Sequence, residues 1–372
     1  MSRRVLTLCF ILFPFAIQSV KGIRKLDRRR HGITREMSHS FLSASYIDQT
    51  YSFACTGNQS MRQSLFLNRE QSSCPSGEPW AAFHSVGFAC DAPVLVNVGA
   101  NKGYAIAAFL ALWRPDLKVT PASLGEALLK KYPDMPYYCG VCGDCREVPL
   151  PSLLPEELRR KCAAHASIFA IEPVASNVEL LDGVLKPLIY EKYSGNERDH
   201  ADISFHVLNA AVTGQRGLGT IGFTGDCHRG SEVCSISSSS QHKVPAMTMD
   251  EWFEQQIFHH VDVMVIDAEG HDPDILDGAQ DMLESQAVKV LVFEYHHIGS
   301  WETRDLSPVV ERLDGFGYDC FLLQQKATAI RLTKCWSKEY EKKGWSNVMC
   351  VLRKEAPLLA AMNSFVPLRL PD

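Results

Sequence analysis

The segment Val94–Trp113 constrains the fold more than any other part of this sequence. It opens with the β-branched run Pro93–Val98, turns through Gly99 and Gly103, and continues as an apolar run that a proline ends. A short apolar run predicts a buried strand, and the longer one a buried helix over Tyr104–Trp113. A strand, a glycine turn and a helix in this order are typical of a ligand-binding unit in an open α/β sheet.

Further apolar runs alternate with helical patterns along the rest of the chain. The predicted strands after the first are Ser167–Ile171, Ile203–Leu208, Val261–Ile266, Val288–Phe293, Cys320–Leu323 and Asn347–Leu352. The predicted helices between them are Ser176–Lys186, Met249–Phe258, Asp272–Glu284 and Ser307–Phe316, and Gly214–Ser240 is a loop or hairpin. Such alternation predicts an α/β fold, a doubly wound and mostly parallel sheet.

Each predicted parallel strand stops on a polar side chain. These residues are Asn97, Glu172, Asn209, Asp267 and Glu294. Ligands of open α/β sheets bind at the carboxyl ends of the strands, so the whole set is placed to face one pocket. Any one of them, taken alone, is equally well explained as a strand end leaving the core.

The turn itself excludes two phosphate sites. A dinucleotide turn needs G-x-G-x-x-G, whereas this one has only Gly99 and Gly103, and the P-loop pattern is absent. Two glycines suit a cofactor without phosphates. Glu172 suits a ribose diol, because a carboxylate can accept a hydrogen bond from each of its two hydroxyls.

These motifs together resemble the FkbM-type methyltransferases. The resemblance covers roughly residues 94–352. It rests on the segment Val94–Gly103, on Glu172-Pro173 followed by Asn177, on Ile266–Asp272 with Leu276-x-Gly278-Ala279, and on Glu294. It implies a class I methyltransferase fold, which is Rossmann-like, with a seven-stranded sheet whose last strand is antiparallel. It also implies methyl transfer from S-adenosylmethionine, usually to a hydroxyl oxygen of a sugar or natural product.

The resemblance also assigns cofactor-binding residues. It places the cofactor's amino-acid and ribose parts over the turn, the ribose on the first strand-end carboxylate, the adenine near the third strand, and the methionine end beside the fourth. The residues so implied are Asn97, Gly99, Ala100, Asn101, Gly103, Glu172, Asn209 and Asp267. Asn97 departs from the family, which commonly has an aspartate there.

An alcohol acceptor must lose a proton, so a base or a metal is expected. Asp267, Glu269 and His271 alternate, and in an extended segment all three would point the same way. We predict His271 as the base because histidine is the side chain whose ordinary pKa lies near neutrality, with Glu269 as the alternative. A divalent metal on Asp267, Glu269 and either Glu294 or His296 is a further option. In the remaining interpretation these side chains only cap the next helix or pair with cations.

Cysteines mark an interruption between the first two strands. Residues 115–165 hold seven prolines and four cysteines, including Cys139, Cys142 and Cys145, and we predict an insertion there. Disulfides are favoured, and the alternative is structural zinc with Cys162 or Cys90 as fourth ligand. The predicted methyltransferase domain spans residues 86–355, and a tail follows over 356–372.

The N-terminus predicts the secretory route. Arg3 and Arg4 precede a short apolar stretch, which is typical of a signal peptide or signal anchor over residues 1–22. An irregular extension follows over 23–85, with a single glycosylation sequon at Asn58. We therefore expect a lumenal or secreted protein with disulfide bonds, at a membrane only if the signal is an uncleaved anchor.

The net charge of −5 and the lack of a basic face argue against a nucleic-acid substrate. We expect a small-molecule or glycan acceptor instead. Trp301, Trp336 and Trp345 are candidates to stack on a sugar ring, although core packing explains each of them as well. The second hypothesis is a non-catalytic lumenal binding protein on a methyltransferase scaffold, which the change at Asn97 favours.

Overall fold

The computed structural model describes residues 92–140, 143–145, 165–191, 202–224, 227, 229–230, 235–236, 243–324 and 329–364. The predicted signal, the N-terminal extension, Asn58, Cys90, Cys142 and Cys162 lie outside these ranges. None of the described helices is long and apolar enough to cross a membrane.

The described strands and helices alternate as the sequence predicts. The strands are β1 (Val94–Val98), β2 (His165–Ile171), β3 (Asp202–Leu208), β4 (Ala211–Val212), β5 (Gly219–Thr224), β6 (Ser235–Ile236), β7 (Lys243–Met247), β8 (Val261–Ile266), β9 (Val288–Tyr295), β10 (Tyr318–Leu323), β11 (Ala329–Arg331) and β12 (Ser346–Leu352). The helices are α1 (Tyr104–Trp113), α2 (Pro121–Lys131), α3 (Ala175–Leu180), α4 (Lys186–Glu191), α5 (Met249–Phe253), α6 (Asp272–Asp277), α7 (Gln280–Glu284), α8 (Leu306–Gly315) and α9 (Ala356–Ser364). A π-helical turn, Leu181–Leu185, joins α3 to α4.

The main sheet has the strand order β11-β10-β12-β9-β8-β1-β2-β3. Its members from β9 to β3 run parallel, whereas β12 is antiparallel to both of its neighbours. This confirms the predicted doubly wound, mostly parallel fold with an antiparallel last strand. The short β11 pairs with β10 at the edge, so the sheet has eight described strands rather than the predicted seven.

Strand order reverses at β1, which lies between β2 and β8. The chain moves outward on one side through β2 and β3, and later on the other side through β8 and β9. The crevice at the carboxyl ends of β1 and β8 is therefore the topological switch point, where ligands of such sheets bind.

Helices cover both faces of the sheet. On one face, α1 packs with Leu124 and Leu128 of α2 and with Leu358 and Met362 of α9. On the other, α5 to α8 bury side chains such as Trp252. The helix α1 has the predicted bounds: it begins after Gly103 and ends two residues before Pro115, because the residue before a proline disfavours the helical conformation.

The structure adds detail to three local predictions. The helix α2 lies inside the predicted insertion, where Thr120 and Ser123 form a capping box at its start. Residues 356–364, predicted as tail, form the packed helix α9. The predicted helix Asp272–Glu284 is two helices, α6 and α7, because the chain breaks at Gly278, where a side-chain carbon would lie 2.2 Å from the Thr213 carbonyl oxygen.

Disulfide bonds join described cysteines in two places. Cys320 and Cys350 are register partners on β10 and β12 and are bonded across the strands. Cys139 is bonded to Cys145, which leaves neither as a thiolate for the alternative zinc site. Cys227 and Cys335 are disulfide-bonded as well.

Candidate active site

The loops after β1, β2 and β8 are joined by backbone hydrogen bonds. The Gly99 N–H donates to the Ile171 carbonyl at 2.9 Å, and the Asp267 N–H donates to the Val98 carbonyl at 3.0 Å. The predicted turn and the two strand ends beside it therefore form one edge. Ala100, whose N–H also reaches the Ile171 carbonyl, is buried at that edge.

Backbone conformation and contacts inside the protein favour glycine at both positions of the turn. Gly99 has φ +73°, and a side-chain carbon on it would lie 1.8 Å from the Asp267 carbonyl oxygen. Gly103 has φ +92°, and the same carbon would lie 2.5 Å from a methyl of Leu185. The two-glycine pattern thus reports close contact of the turn with its neighbours, in addition to any approach of a cofactor.

The Glu172 carboxylate forms hydrogen bonds with the backbone of the turn. One carboxylate oxygen accepts the Asn101 N–H and the other accepts the Val174 N–H, both at 2.8 Å. The residue is 3% exposed, and burial raises the pKa of its carboxyl to about 6 against the opposing hydrogen bonds and the charge of Lys102. Glu172 is therefore mostly ionised at neutral pH and is fixed in orientation.

Asn209 and Asn97 occupy the neighbouring strand ends. The Asn209 amide donates to the carbonyls of Glu172 and Pro173 at 3.0 and 2.9 Å, which ties the end of β3 to that of β2. Asn97 is 2% exposed, and its Oδ1 has no hydrogen-bond partner among the described residues. A buried acceptor without a partner carries a free-energy cost that a ligand N–H donor would remove.

The segment after β8 is a turn, and the extended conformation considered from the sequence is wrong. Glu269 has φ +50° and Gly270 has φ +93°. A side-chain carbon on Gly270 would lie 2.4 Å from the Ile298 carbonyl oxygen, so this position needs glycine. Asp267 is exposed and Glu269 half-buried, and the regular alternation that would aim them with His271 is lost.

His271 is paired with Asp274, a residue that the sequence analysis missed. His271 precedes α6, and its Nδ1 lies 3.5 Å from an Asp274 carboxylate oxygen. Burial raises the pKa of Asp274, but hydrogen bonds from His271 and Ser300 and the charge of Arg304 outweigh burial and leave it below its ordinary value. Helical spacing of three residues was the signal that could have found this pair.

A carboxyl-rich cluster lies behind that turn. Asp272 accepts the Glu294 N–H at 3.1 Å and the Gly270 N–H at 3.2 Å, and Trp345 Nε1 donates to Glu294. Burial, followed by the charges of Glu294 and Asp267, raises the pKa of Asp272 well above its ordinary value. Burial and the neighbouring carboxyl groups therefore favour the protonated form of Asp272, which lets two carboxyl groups share a buried site.

The predicted metal ligands do not form a metal site. Among the described residues, the side chains that come within 4.8 Å of one another are Asp272, Glu294 and His296, without Asp267 or Glu269. His296 Nδ1 accepts the Ile298 N–H, so the neutral ring carries its proton on Nε2, the nitrogen 3.0 Å from Glu294. A nitrogen that binds a metal needs a lone pair, and Nε2 of this ring tautomer has none, so the cluster as arranged does not suit a metal.

The three candidate tryptophans have different surroundings. Trp301 is fully buried and stacks on Phe293, and Trp336 packs against Tyr340, so core packing accounts for both. Trp345 is half-buried beside the start of β12, at the edge of the sheet that carries the site.

Residues 139–320 match the family model described as methyltransferase FkbM domain. Over this range the chain is similar to the FkbM methyltransferases. The matched range holds Glu172, Asn209 and the Asp267–His271 segment, and begins after the glycine turn. A solved structure of methyltransferase FkbM from Methylobacillus flagellatus KT is 11% identical with a TM-score of 0.35, covering 70% of this chain and 43% of that one. This chain thus spans less than half of that protein's length, and the search of curated proteins found no match.

Methyltransferases of this family imply S-adenosylmethionine, and the polar atoms at the edge fit that cofactor. Glu172 is oriented by two backbone N–H donors and by the Asn177 side chain, and its carboxylate keeps a further lone pair for a ribose hydroxyl. The buried Asn97 Oδ1 suits the cofactor's ammonium group. The individual roles of these residues stay predictions.

Proposed function

We propose that this chain is an S-adenosylmethionine-dependent O-methyltransferase that acts on a hydroxyl of a sugar or another small molecule. The observation that carries the proposal is the pair of His271 and Asp274, which lies on the same sheet edge as Glu172. An oriented imidazole beside a cofactor site suits an acceptor that must lose a proton, as an alcohol does.

When bound, S-adenosylmethionine supplies an electrophilic methyl group. Glu172 and Asn97 would hold the ribose and the ammonium group, and so fix the direction from which the methyl is presented. Asp274 would accept the His271 Nδ1–H and thereby leave the Nε2 lone pair for the acceptor hydroxyl proton. The acceptor oxygen then carries the electron pair that forms the new bond to carbon as the bond from carbon to sulfur breaks.

The test combines cofactor binding with methyl transfer. Calorimetry with S-adenosylmethionine comes first, followed by transfer of labelled methyl onto glycans, lipids and small alcohols. His271→Ala should lower turnover by about a hundredfold or more while the cofactor Kd stays within about twofold, because a general base contributes roughly 10²–10⁴ in rate. Glu269→Ala, measured in parallel, tests the alternative base.

His259→Ala is the matched control, because His259 is exposed just before β8, at the opposite end of that strand from the site. Unchanged turnover in His271→Ala would remove the base assignment. If the unmodified protein does not bind the cofactor, the enzyme hypothesis is rejected. The hypothesis of a non-catalytic binding protein is then favoured, and the change at Asn97 is the observation that supports it.

We further propose that the protein works in the lumen of the secretory pathway or outside the cell. The bonds Cys139–Cys145 and Cys320–Cys350 support an oxidising compartment, where disulfides persist. Expression with the native N-terminus, followed by localisation and N-terminal sequencing, distinguishes a cleaved signal from an anchor. A cytosolic protein with free thiols would contradict this assignment.

A further inference from the structure

Gly230 is held by two buried side chains. Its N–H donates to Asn177 Oδ1 at 2.8 Å, and its carbonyl accepts from Lys102 Nζ at 3.0 Å. Lys102 is 2% exposed and Asn177 is 1% exposed. We call Arg229 and Gly230 the Gly230 segment. Both backbone polar groups of this glycine therefore bond to side chains that come from elements distant in sequence.

Those two side chains belong to the predicted cofactor site. Lys102 is part of the turn between β1 and α1, and its charge favours the ionised form of Glu172. Asn177 lies in α3 and hydrogen-bonds to the Glu172 carboxylate. The Gly230 segment is thus connected to the turn through one side chain and to the candidate ribose ligand through the other.

The outer side of the segment is fixed as well. Arg229 forms a 2.6 Å ion pair with Glu179, and its guanidinium lies 4.5 Å from the centre of the Tyr132 ring. Gly230 has φ +80°, and a side-chain carbon on it would lie 3.0 Å from the sulfur of Met135. This conformation and this spacing favour glycine, so the contact depends on the residue type at 230.

We propose that Lys102 and Asn177 are positioning residues, which use the Gly230 segment to hold the turn and the Glu172 carboxylate in the geometry that a ribose diol needs. This inference rests on the proposed cofactor, since it assigns the residues that prepare the site for it. Neither side chain need touch the cofactor. Their effect passes through the orientation and the ionisation of Glu172, on which Lys102 acts as the charged neighbour.

The variants Lys102→Met and Asn177→Ala each remove one of the two bonds to Gly230. Matched controls are Lys131→Met, which removes a lysine bond to the Gly183 carbonyl, and Asn363→Ala, which removes an asparagine bond to Arg331. We expect the Kd for S-adenosylhomocysteine, measured by calorimetry, to rise about tenfold in both test variants and to stay within about twofold in both controls.

A second readout does not need the cofactor. The pKa of Glu172 is followed by carbon-13 NMR of labelled glutamate carboxyls, and it should rise in Asn177→Ala because that hydrogen bond favours the charged form. A merely structural asparagine would leave this pKa unchanged. Gly230→Ala, which alters the segment instead of the buried side chains, should weaken binding in the same direction.

The outcomes separate this inference from the proposed function. If the unmodified protein binds no cofactor but Asn177→Ala raises the pKa of Glu172, the proposed function fails and the positioning role stands. If the unmodified protein binds, while Asn177→Ala and Gly230→Ala change neither the Kd nor that pKa, the inference is overturned and the function stands. If there is neither binding nor a pKa change, both are overturned.

Discussion

Glu172, after β2, and Asp274, after β8, are carboxylates at the same edge of the sheet in different surroundings. Glu172 is 3% exposed, and backbone N–H groups bind both of its oxygens. The Asp274 side chain is 33% exposed, and its partners are the side chains of His271, Ser300 and Arg304. Burial raises the pKa of Glu172, whereas the pKa of Asp274 is lowered by its partners.

The difference indicates a division of work along this edge. Backbone donors that are fixed by the sheet give Glu172 one orientation before any ligand arrives, which suits a cofactor of constant shape. His271, at the start of α6, and Asp274, within it, are partly exposed, and among the described residues their side chains bind only side chains, which suits acceptors of varied shape. We therefore propose that the part of the molecule assigned to the cofactor is the more rigid of the two.

The largest expected effect comes from Glu172→Gln. The glutamine NH₂ would have to face the N–H of Asn101 or that of Val174, so one backbone donor loses its partner and the ribose loses an acceptor. We expect the Kd for S-adenosylmethionine to rise about a hundredfold, since each unsatisfied buried group costs roughly 1–3 kcal/mol. Calorimetry measures this directly.

Glu311→Gln, on the exposed face of α8, provides the control for that change. Its Kd should match that of the unmodified protein. Equal affinity in Glu172→Gln would mean that the buried carboxylate only braces the turn, and the contrast between the two carboxylates would lose its functional meaning.

Asp274→Asn should act on turnover alone. The asparagine keeps the shape but removes the charge that favours the His271 Nδ1–H tautomer, so kcat should fall about tenfold, a modest loss because the pair is partly exposed. The cofactor Kd should not change. A rise in the cofactor Kd with constant kcat would show instead that Asp274 contributes to cofactor binding.

The pH dependence should also be of about tenfold size. The proposed cofactor contact needs ionised Glu172, whose pKa is about 6. The affinity should therefore be highest above that pH and fall as the pH drops through it, to about a tenth of its maximum one pH unit below. The stability of the free protein should change in the opposite direction. Because the folded pKa is raised, the group stabilises the fold at pH values below its unfolded pKa, and this contribution is lost as the pH rises through about 6.

Two titrations check these opposite signs: calorimetry with the cofactor and chemical denaturation without it. Between the pKa of Glu172 in the unfolded chain and its folded pKa of about 6, its contribution to the unfolding free energy should fall by about 2 kcal/mol. One pKa unit corresponds to roughly 1.4 kcal/mol. In Glu172→Gln the slope of the affinity should disappear and the slope of the stability should become smaller, since the raised pKa of Asp272 also contributes to it. A cofactor affinity that stays constant down to about pH 5 would mean that binding does not depend on the ionisation of Glu172.

The sequence predicted the parallel half of the sheet well because its signals are local. The run Tyr104–Trp113 is apolar almost all round and ends near a proline, so its bounds follow from the residues alone. The pairing of His271 with Asp274 and the break at Gly278 depend on Ser300, Arg304 and Thr213, which come from other parts of the chain. The spacing of His271 and Asp274 is a local signal, but the contacts with these distant residues are not, so the sequence left an extended conformation open for the segment after β8.

The smallest expected effect on binding comes from the antiparallel half of the sheet. Cys320 and Cys350 are fully buried and join β10 to β12, which β9 and β8 separate from the glycine turn. Replacing both by alanine should cost about 2–4 kcal/mol of unfolding free energy, because the open chain gains conformational freedom. The cofactor Kd should change less than about twofold, since Glu172 and Asn97 have no described hydrogen bond to those strands. A Kd that rises as far as in Glu172→Gln would mean that the rigidity of the cofactor side depends on the whole sheet rather than on the backbone donors around Glu172.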